Sequence, residues 1–263
     1  LPPLGGLIEP GVLAVARLSG DPESLYQMAV SVLPAEKRTA LDEFWSRLQT
    51  ELRIDARKGV LDNLKGHAII VVYGLKTEAI AEAGPRWFNT VMRLGATREA
   101  VLLPIEEREP LERVLDALTT VTKNKLRRQA VGQTIQYAWF EDGELMWAFV
   151  LADDHVIYVD SNVAFEHAVT YERTAHPLGD TLEGTGIRHI VEPAQISGLY
   201  LDSANIGSLL AEADQPTAAR WLSPFEAAVV TTRTIDGVGT THLRLQFTPS
   251  TTSDGDSRDS EME

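Results

Sequence analysis

The chain has 263 residues, enough for one large or two small domains, and 44% of them are hydrophobic, which is enough for a full core. It has no cysteine, which excludes disulfides, thiolate metal sites and cysteine nucleophiles. The net charge of −14 arises beyond Arg128, where six Arg and no Lys stand against 21 acids; that field disfavours nucleic acid, whose binding needs phosphate neutralisation.

Residues 1–10 are rich in Pro and Gly and read as a lead-in. A strand is expected over 11–18 and a helix from Pro22 to Leu33. Pro34 restarts a second helix, in which Leu41, Phe44, Trp45, Leu48 and Leu52 fall on one apolar stripe. His67 to Gly74 is a continuous apolar run flanked by glycines, the pattern of a strand buried on both faces. Residues 76–86 read as a polar connection. Trp87 to Leu94 and Ala100 to Ile105 read as a hairpin around Gly95-Ala96-Thr97.

Leu111, Val114, Leu115, Leu118 and Val121 mark an amphipathic helix. A three-stranded meander then runs through Thr134–Phe140, Leu145–Ala152 and Val156–Asp160, followed by a short helix from Asn162. Residues 171–196 lack periodicity and read as an irregular loop or subdomain boundary. The unit 197–249 closes the fold as strand, helix and hairpin, and the acidic tail 250–263 reads as disordered.

One pattern recurs: an apolar strand, then a turn, then helix-start chemistry. It occurs at 13–25, 100–112 and 197–206, where Asp21, Glu109 and Asp202 need no role beyond capping and the helix dipole. Hairpins outnumber helical crossovers. The expected class is therefore α+β, with mainly antiparallel sheets packed against amphipathic helices and built from these recurring units.

The stretch DARKGVLDNLKGHAIIVVYG (Asp55–Gly74), the stretch AFVLADDHVIYVDSNVAFEHAV (Ala148–Val169) and the closing unit from Ser197 carry a likeness. The chain resembles uncharacterised bacterial envelope proteins of the domain-of-unknown-function 3352 type. The likeness rests on spacing and apolar pattern, without a catalytic signature. It implies an exported or anchored α+β protein with a non-enzymatic role. The absence of cysteine fits that compartment, though it fits a low-cysteine proteome equally. The start Leu1-Pro2-Pro3 leads us to expect a cleaved precursor or a trimmed chain, with any signal peptide or lipid-anchoring cysteine upstream.

Phosphate-loop, dinucleotide, zincin, nucleophile-elbow and EF-hand motifs do not occur, and no cofactor is expected. No apolar run reaches the roughly 18 residues that span a bilayer. Lys123, Lys125, Arg127 and Arg128 form one basic cluster, a candidate contact for an anionic partner; its plainer reading is a solvated helix end. His176, Asp180, Glu183 and His189 share a short span and are the candidate metal ligands. Asp153-Asp154-His155 reads as a tight turn. Tyr137, Trp139 and Trp147 read as sheet packing, with a carbohydrate platform as the alternative. His242 reads as part of a solvated face, opposite Leu243, Leu245 and Phe247.

The expected function is a non-catalytic, extracytoplasmic binding or assembly protein of the cell envelope, with an unknown protein or envelope component as partner. The alternatives are a metal-dependent hydrolase built on the 171–196 loop and an intracellular scaffold using the apolar edge of its sheet.

Overall fold

The apolar run after Gly66 becomes an interior strand of one ten-stranded sheet, in which every neighbouring pair is antiparallel. The computed structural model describes residues 4, 6–31, 35–52, 55–84, 97–122, 125–174, 187–191, 196–235 and 238–248. The strands are β1 (Ala14–Ser19), β2 (His67–Leu75), β3 (Thr97–Pro104), β4 (Leu126–Val131), β5 (Thr134–Glu141), β6 (Glu144–Leu151), β7 (His155–Val159), β8 (Ile196–Asp202), β9 (Phe225–Ile235) and β10 (Val238–Phe247). The helices are α1 (Pro22–Ser31), α2 (Ala35–Leu52), α3 (Ala56–Leu61), α4 (Thr77–Ala83), α5 (Arg108–Val121), α6 (Asn162–Thr174), α7 (Ile187–Val191), α8 (Ser203–Glu212) and α9 (Pro216–Leu222). Across the sheet the order is β10-β9-β8-β1-β2-β3-β7-β6-β5-β4, so the chain is α+β with a mainly antiparallel sheet.

Strand polarity sorts the helices. β1 and β3 run the same way and leave the sheet at one end, towards α1–α3 and α5. β2 and β8 run the other way and lead to α4 and to α8–α9. One sheet face therefore carries two separate cores. The first joins Leu48 of α2 and Leu111, Val114, Leu115 and Leu118 of α5 to Ile135, Tyr137, Leu151 and Val156 of the meander. The second joins Ile80 of α4 and Leu210 of α8 to Ala14, Val72 and Leu75. The opposite face, with Val15, Ile69, Val71, Leu102, Val150 and Ile157, packs against α6, α7 and the opening segment. β2 alternates between these cores, so both of its faces are apolar.

The recurring strand–turn–helix pattern has two kinds of cap. Asp21 accepts from the Ser24 N–H at 2.9 Å, and Asp202 accepts from the Asn205 N–H at 2.9 Å. The start of α5 is held from outside: buried Asn63 accepts from the Glu107 N–H at 2.8 Å and donates to the Glu107 carbonyl at 2.6 Å. Glu109 sits in the first turn of α5 and pairs with Arg113.

Several expectations change. Residues 76–86 contain helix α4, whose single buried apolar residue, Ile80, is too little to show a helical period. β4 stands in the stretch read as the end of a helix; its exposed Arg127, Arg128 and Gln129 hide the strand pattern. Leu4, Leu7 and Ile8 of the Pro/Gly-rich opening are buried, and the Tyr73 hydroxyl donates to the Leu7 carbonyl at 2.7 Å. The stretch 171–196 holds the end of α6 and all of α7. Fully buried Arg17 donates from Nη1 to the Val191 carbonyl at the end of α7, and α7 lies so close to β8 that a Cβ on Gly198 would stand 3.0 Å from Ile190 Cγ2. The expected strand Trp87–Leu94 and the tail 250–263 lie outside the described residues.

Candidate functional site

Two cavities, of about 840 and 890 Å³, share Asp21, Pro22 and Leu64 and form one groove at the end of the sheet where β1 leaves it. The first part lies among the starts of α1 and α3 and one face of α2; Asp42, Trp45, Arg57 and Asp62 line it. The second runs over the strand ends, along Ser19, His67, Glu106, Ser197 and Thr232. Glycine shapes the junction. At Gly66 (φ +68°) a Cβ would meet the Gly20 carbonyl oxygen at 2.8 Å, and the Gly20 N–H donates to the Gly66 carbonyl at 2.8 Å.

Several of the groove's charged groups are engaged: Glu23 with Arg57, Lys65 with Glu106 at 3.8 Å, and Asp21 and Asp55 as helix caps. Asp21 also accepts from the Ser24 hydroxyl at 3.0 Å, and Asp55 caps α3 through the Lys58 N–H at 3.0 Å. Glu23 pairs with Arg57, whose guanidinium lies 4.6 Å from the Tyr26 ring centre; Tyr26 accepts from Trp45 Nε1 at 3.0 Å. His67 lies with Nδ1 3.2 Å from the Lys65 carbonyl, and burial pushes its pKa below the usual imidazole range. Among the described residues no hydrogen-bond partner reaches its buried Nε2. The groove is thus a preformed polar surface whose ion pairs and caps set its shape.

A second polar cluster lies inside the sheet. Glu99 is buried on β3, accepts from the Thr97 hydroxyl at 2.7 Å, and has its pKa pushed up to about 7, chiefly by burial. Asp160 accepts from the Glu99 N–H at 2.8 Å and pairs with Lys76 at 2.9 Å. The Lys76 ammonium compensates part of the charge that burial penalises.

The basic cluster divides. Lys123 lies outside the described residues. Lys125 Nζ stands 5.4 Å from the Trp139 ring centre, and the Arg127 guanidinium 5.6 Å from that of Phe140. Arg128 pairs with Glu112 at 2.7 Å and Asp116 at 3.0 Å, tying β4 to α5. Trp139, Trp147, Phe149 and Tyr158 form a ladder with neighbouring ring centres 5.5–5.6 Å apart; Trp139–Trp147 and Phe149–Tyr158 are cross-strand pairs, joined along β6 by Trp147–Phe149. Tyr137 is buried beside it, and its hydroxyl donates to Asp116 at 2.8 Å. Asp153 and Asp154 form a turn: Asp153 pairs with Arg108 at 3.0 Å, and Asp154 lies 2.6 Å from His155 Nδ1.

Of the candidate metal ligands, His176, Asp180 and Glu183 lie outside the described residues, and His189 falls on α7. Among the described residues no group of three or more His, Asp or Glu converges on a point that could hold a metal. None of the described helices is long and apolar enough to cross a membrane.

Sequence reasoning missed three features. The groove is assembled from turns far apart in the chain and leaves no local motif. Glu99 left little signal, because it follows Thr97 and Arg98 just ahead of the apolar run that begins at Ala100. The third is an apolar ledge at the β10 edge, where Trp221 is 76%, Leu243 63%, Leu245 39% and Phe247 62% exposed. The face opposite His242 is therefore as open as its own, because α8 and α9 stop short of β10.

No family model matches the chain, and no curated protein matches it. Among solved structures, crystal form IV of TP0453 is similar over 93% of this chain and 80% of that one, with 11% identity and a TM-score of 0.49. A likeness at that level bears on neither the site nor the role of this chain.

Proposed function

We propose that this chain is a non-catalytic binding and assembly protein that works outside the cytoplasm, at the bacterial cell envelope. One observation carries the reading: among the described residues, the large exposed apolar side chains Trp221, Leu243, Leu245 and Phe247 gather towards one sheet edge. A clustered apolar patch with a polar rim is the mark of a contact surface. The resemblance of Asp55–Gly74 and Ala148–Val169 to envelope proteins, together with the absence of cysteine, supports the compartment. The test is fractionation of the cells that encode it, with the gene expressed from its natural locus. Recovery of the protein with periplasmic or membrane markers is the expected result. Recovery with cytosolic markers overturns it.

A further inference from the structure

We propose that the occupant of the β10 edge is a second copy of this chain, paired antiparallel with β10 about a two-fold axis at Leu243. The proposal rests on the reading above only in taking this edge as a contact surface.

The two edges of the sheet are built differently. β4, at one edge, has six residues and exposes Arg127 and Arg128, charges that blunt an edge against pairing. β10, at the other, has ten residues and, among the described strands, pairs with β9 alone. It contains no Pro, Lys, Asp or Glu; its only titratable side chains are His242 and Arg244. A strand of that length and composition offers a row of edge N–H and C=O groups, guarded only by Arg244 and by the irregularity in pairing at Gln246/Phe247.

The register follows from symmetry and charge. A two-fold axis perpendicular to the sheet keeps each face on its own side, so residues pair with numbers that sum to an even value. Centring on Arg244 would set two guanidinium groups against each other, a destabilising opposition. Centring on Leu243 joins the two Leu243 side chains, sets Leu245 opposite Thr241 of the second copy, and sets Arg244 opposite its His242. The Leu243, Leu245 and Phe247 row then continues across the axis on the helix-bearing face, where Leu243 already aligns with Val230 and Leu199.

The ledge is also the right size. The Thr248 N–H donates to the Pro224 carbonyl at 3.1 Å, which holds the end of β10 beside the end of α9 and its exposed Trp221. Large aromatic side chains offer ~150–250 Å² each. With Trp221, Phe247 and the two leucines exposed to this degree, the ledge amounts to about 400–500 Å² per copy. Two copies reach about 1,000 Å² once the strand backbones are included, the lower bound for a specific interface.

The experiment is sedimentation equilibrium of the purified full chain over a concentration series, with a photo-crosslinking residue placed at Leu243 in parallel. The expected mass rises from 28.9 kDa towards twice that value, and the crosslinked product migrates as a dimer of the chain. Leu243→Lys, at a 63% exposed position that leaves folding intact by circular dichroism, weakens association about tenfold or more. Met146→Lys, at an exposed position on β6, leaves it unchanged. A monomer mass at every concentration, association unaffected by Leu243→Lys, or no crosslinked dimer from position 243 overturns the proposal. None of these outcomes bears on the fractionation result, so failure of the dimer and failure of the envelope reading are told apart.

Discussion

Replacing Glu99 by Gln tests whether the acid inside the sheet is held against its solvation. Its pKa rises from the ordinary 4.5 to about 7, led by burial and opposed by the Thr97 hydroxyl and the Lys76 charge. The folded state therefore keeps a proton that the unfolded chain releases between those two values. Stability from this group is fully present below pH 4.5 and is lost as pH rises through 7. One pKa unit is worth about 1.4 kcal/mol, so the full rise corresponds to about 3 kcal/mol. Gln keeps the shape and can accept from the Thr97 hydroxyl, but it does not ionise. Glu99→Gln is expected to be near-neutral in acid and to stabilise the chain by about 2–3 kcal/mol at pH 8 relative to pH 5. The assay is urea unfolding of both proteins at pH 5, 6.5 and 8, where titrations common to both cancel; in Tm the pH 8 gain is about 4–12 °C. An offset between the two proteins that stays constant over this range refutes the reasoning.

Three further substitutions probe the scaffold. Leu48→Ala removes a fully buried side chain from the core beneath α2 and α5 and should cost about 2–5 kcal/mol by chemical denaturation. In Gly198→Ala the new methyl stands 3.0–3.1 Å from the Ile190 side chain and 3.1 Å from the Val230 carbonyl; a loss of about 1–3 kcal/mol is expected, partly recovered by Ile190→Val. Asp202→Ala deletes the cap of α8 and should cost about 1 kcal/mol, whereas Asp202→Asn retains most of it, both read by thermal melts followed by circular dichroism.

The parts of the fold that were legible are those whose periodicity is set by core packing. The α2 stripe at Phe44, Trp45 and Leu48 and the α5 stripe each pack into one core, and the meander's apolar runs fill cores on both faces, so their patterns survive in the sequence. β4 was not legible, because it lies at the sheet edge and half of its side chains are charged or polar. Nor was the burial of Leu7 and Ile8. Nothing local distinguishes an apolar pair among prolines and glycines from a lead-in; it is the Tyr73 hydroxyl, 66 residues away, that anchors it.

The sites divide along the same line. Asp21 and Asp202 were read as caps, and their hydrogen bonds to Ser24 and Asn205 bear that reading out, since a capping contact spans only three residues. The groove between Asp21, Leu64 and His67 depends on β1 lying beside β2 in a sheet whose order no local pattern encodes. The β10 ledge illustrates the remaining difficulty. The alternation Leu243, Leu245, Phe247 is the same whether the apolar face meets a helix of its own chain or is left open. Only the lengths of α8 and α9 decide between the two. They cover Leu201, which lies two strands further in, and leave Leu243 and Phe247 exposed. An edge strand is a template for pairing and an uncovered apolar face favours contact, and the fold leaves both features at the same place.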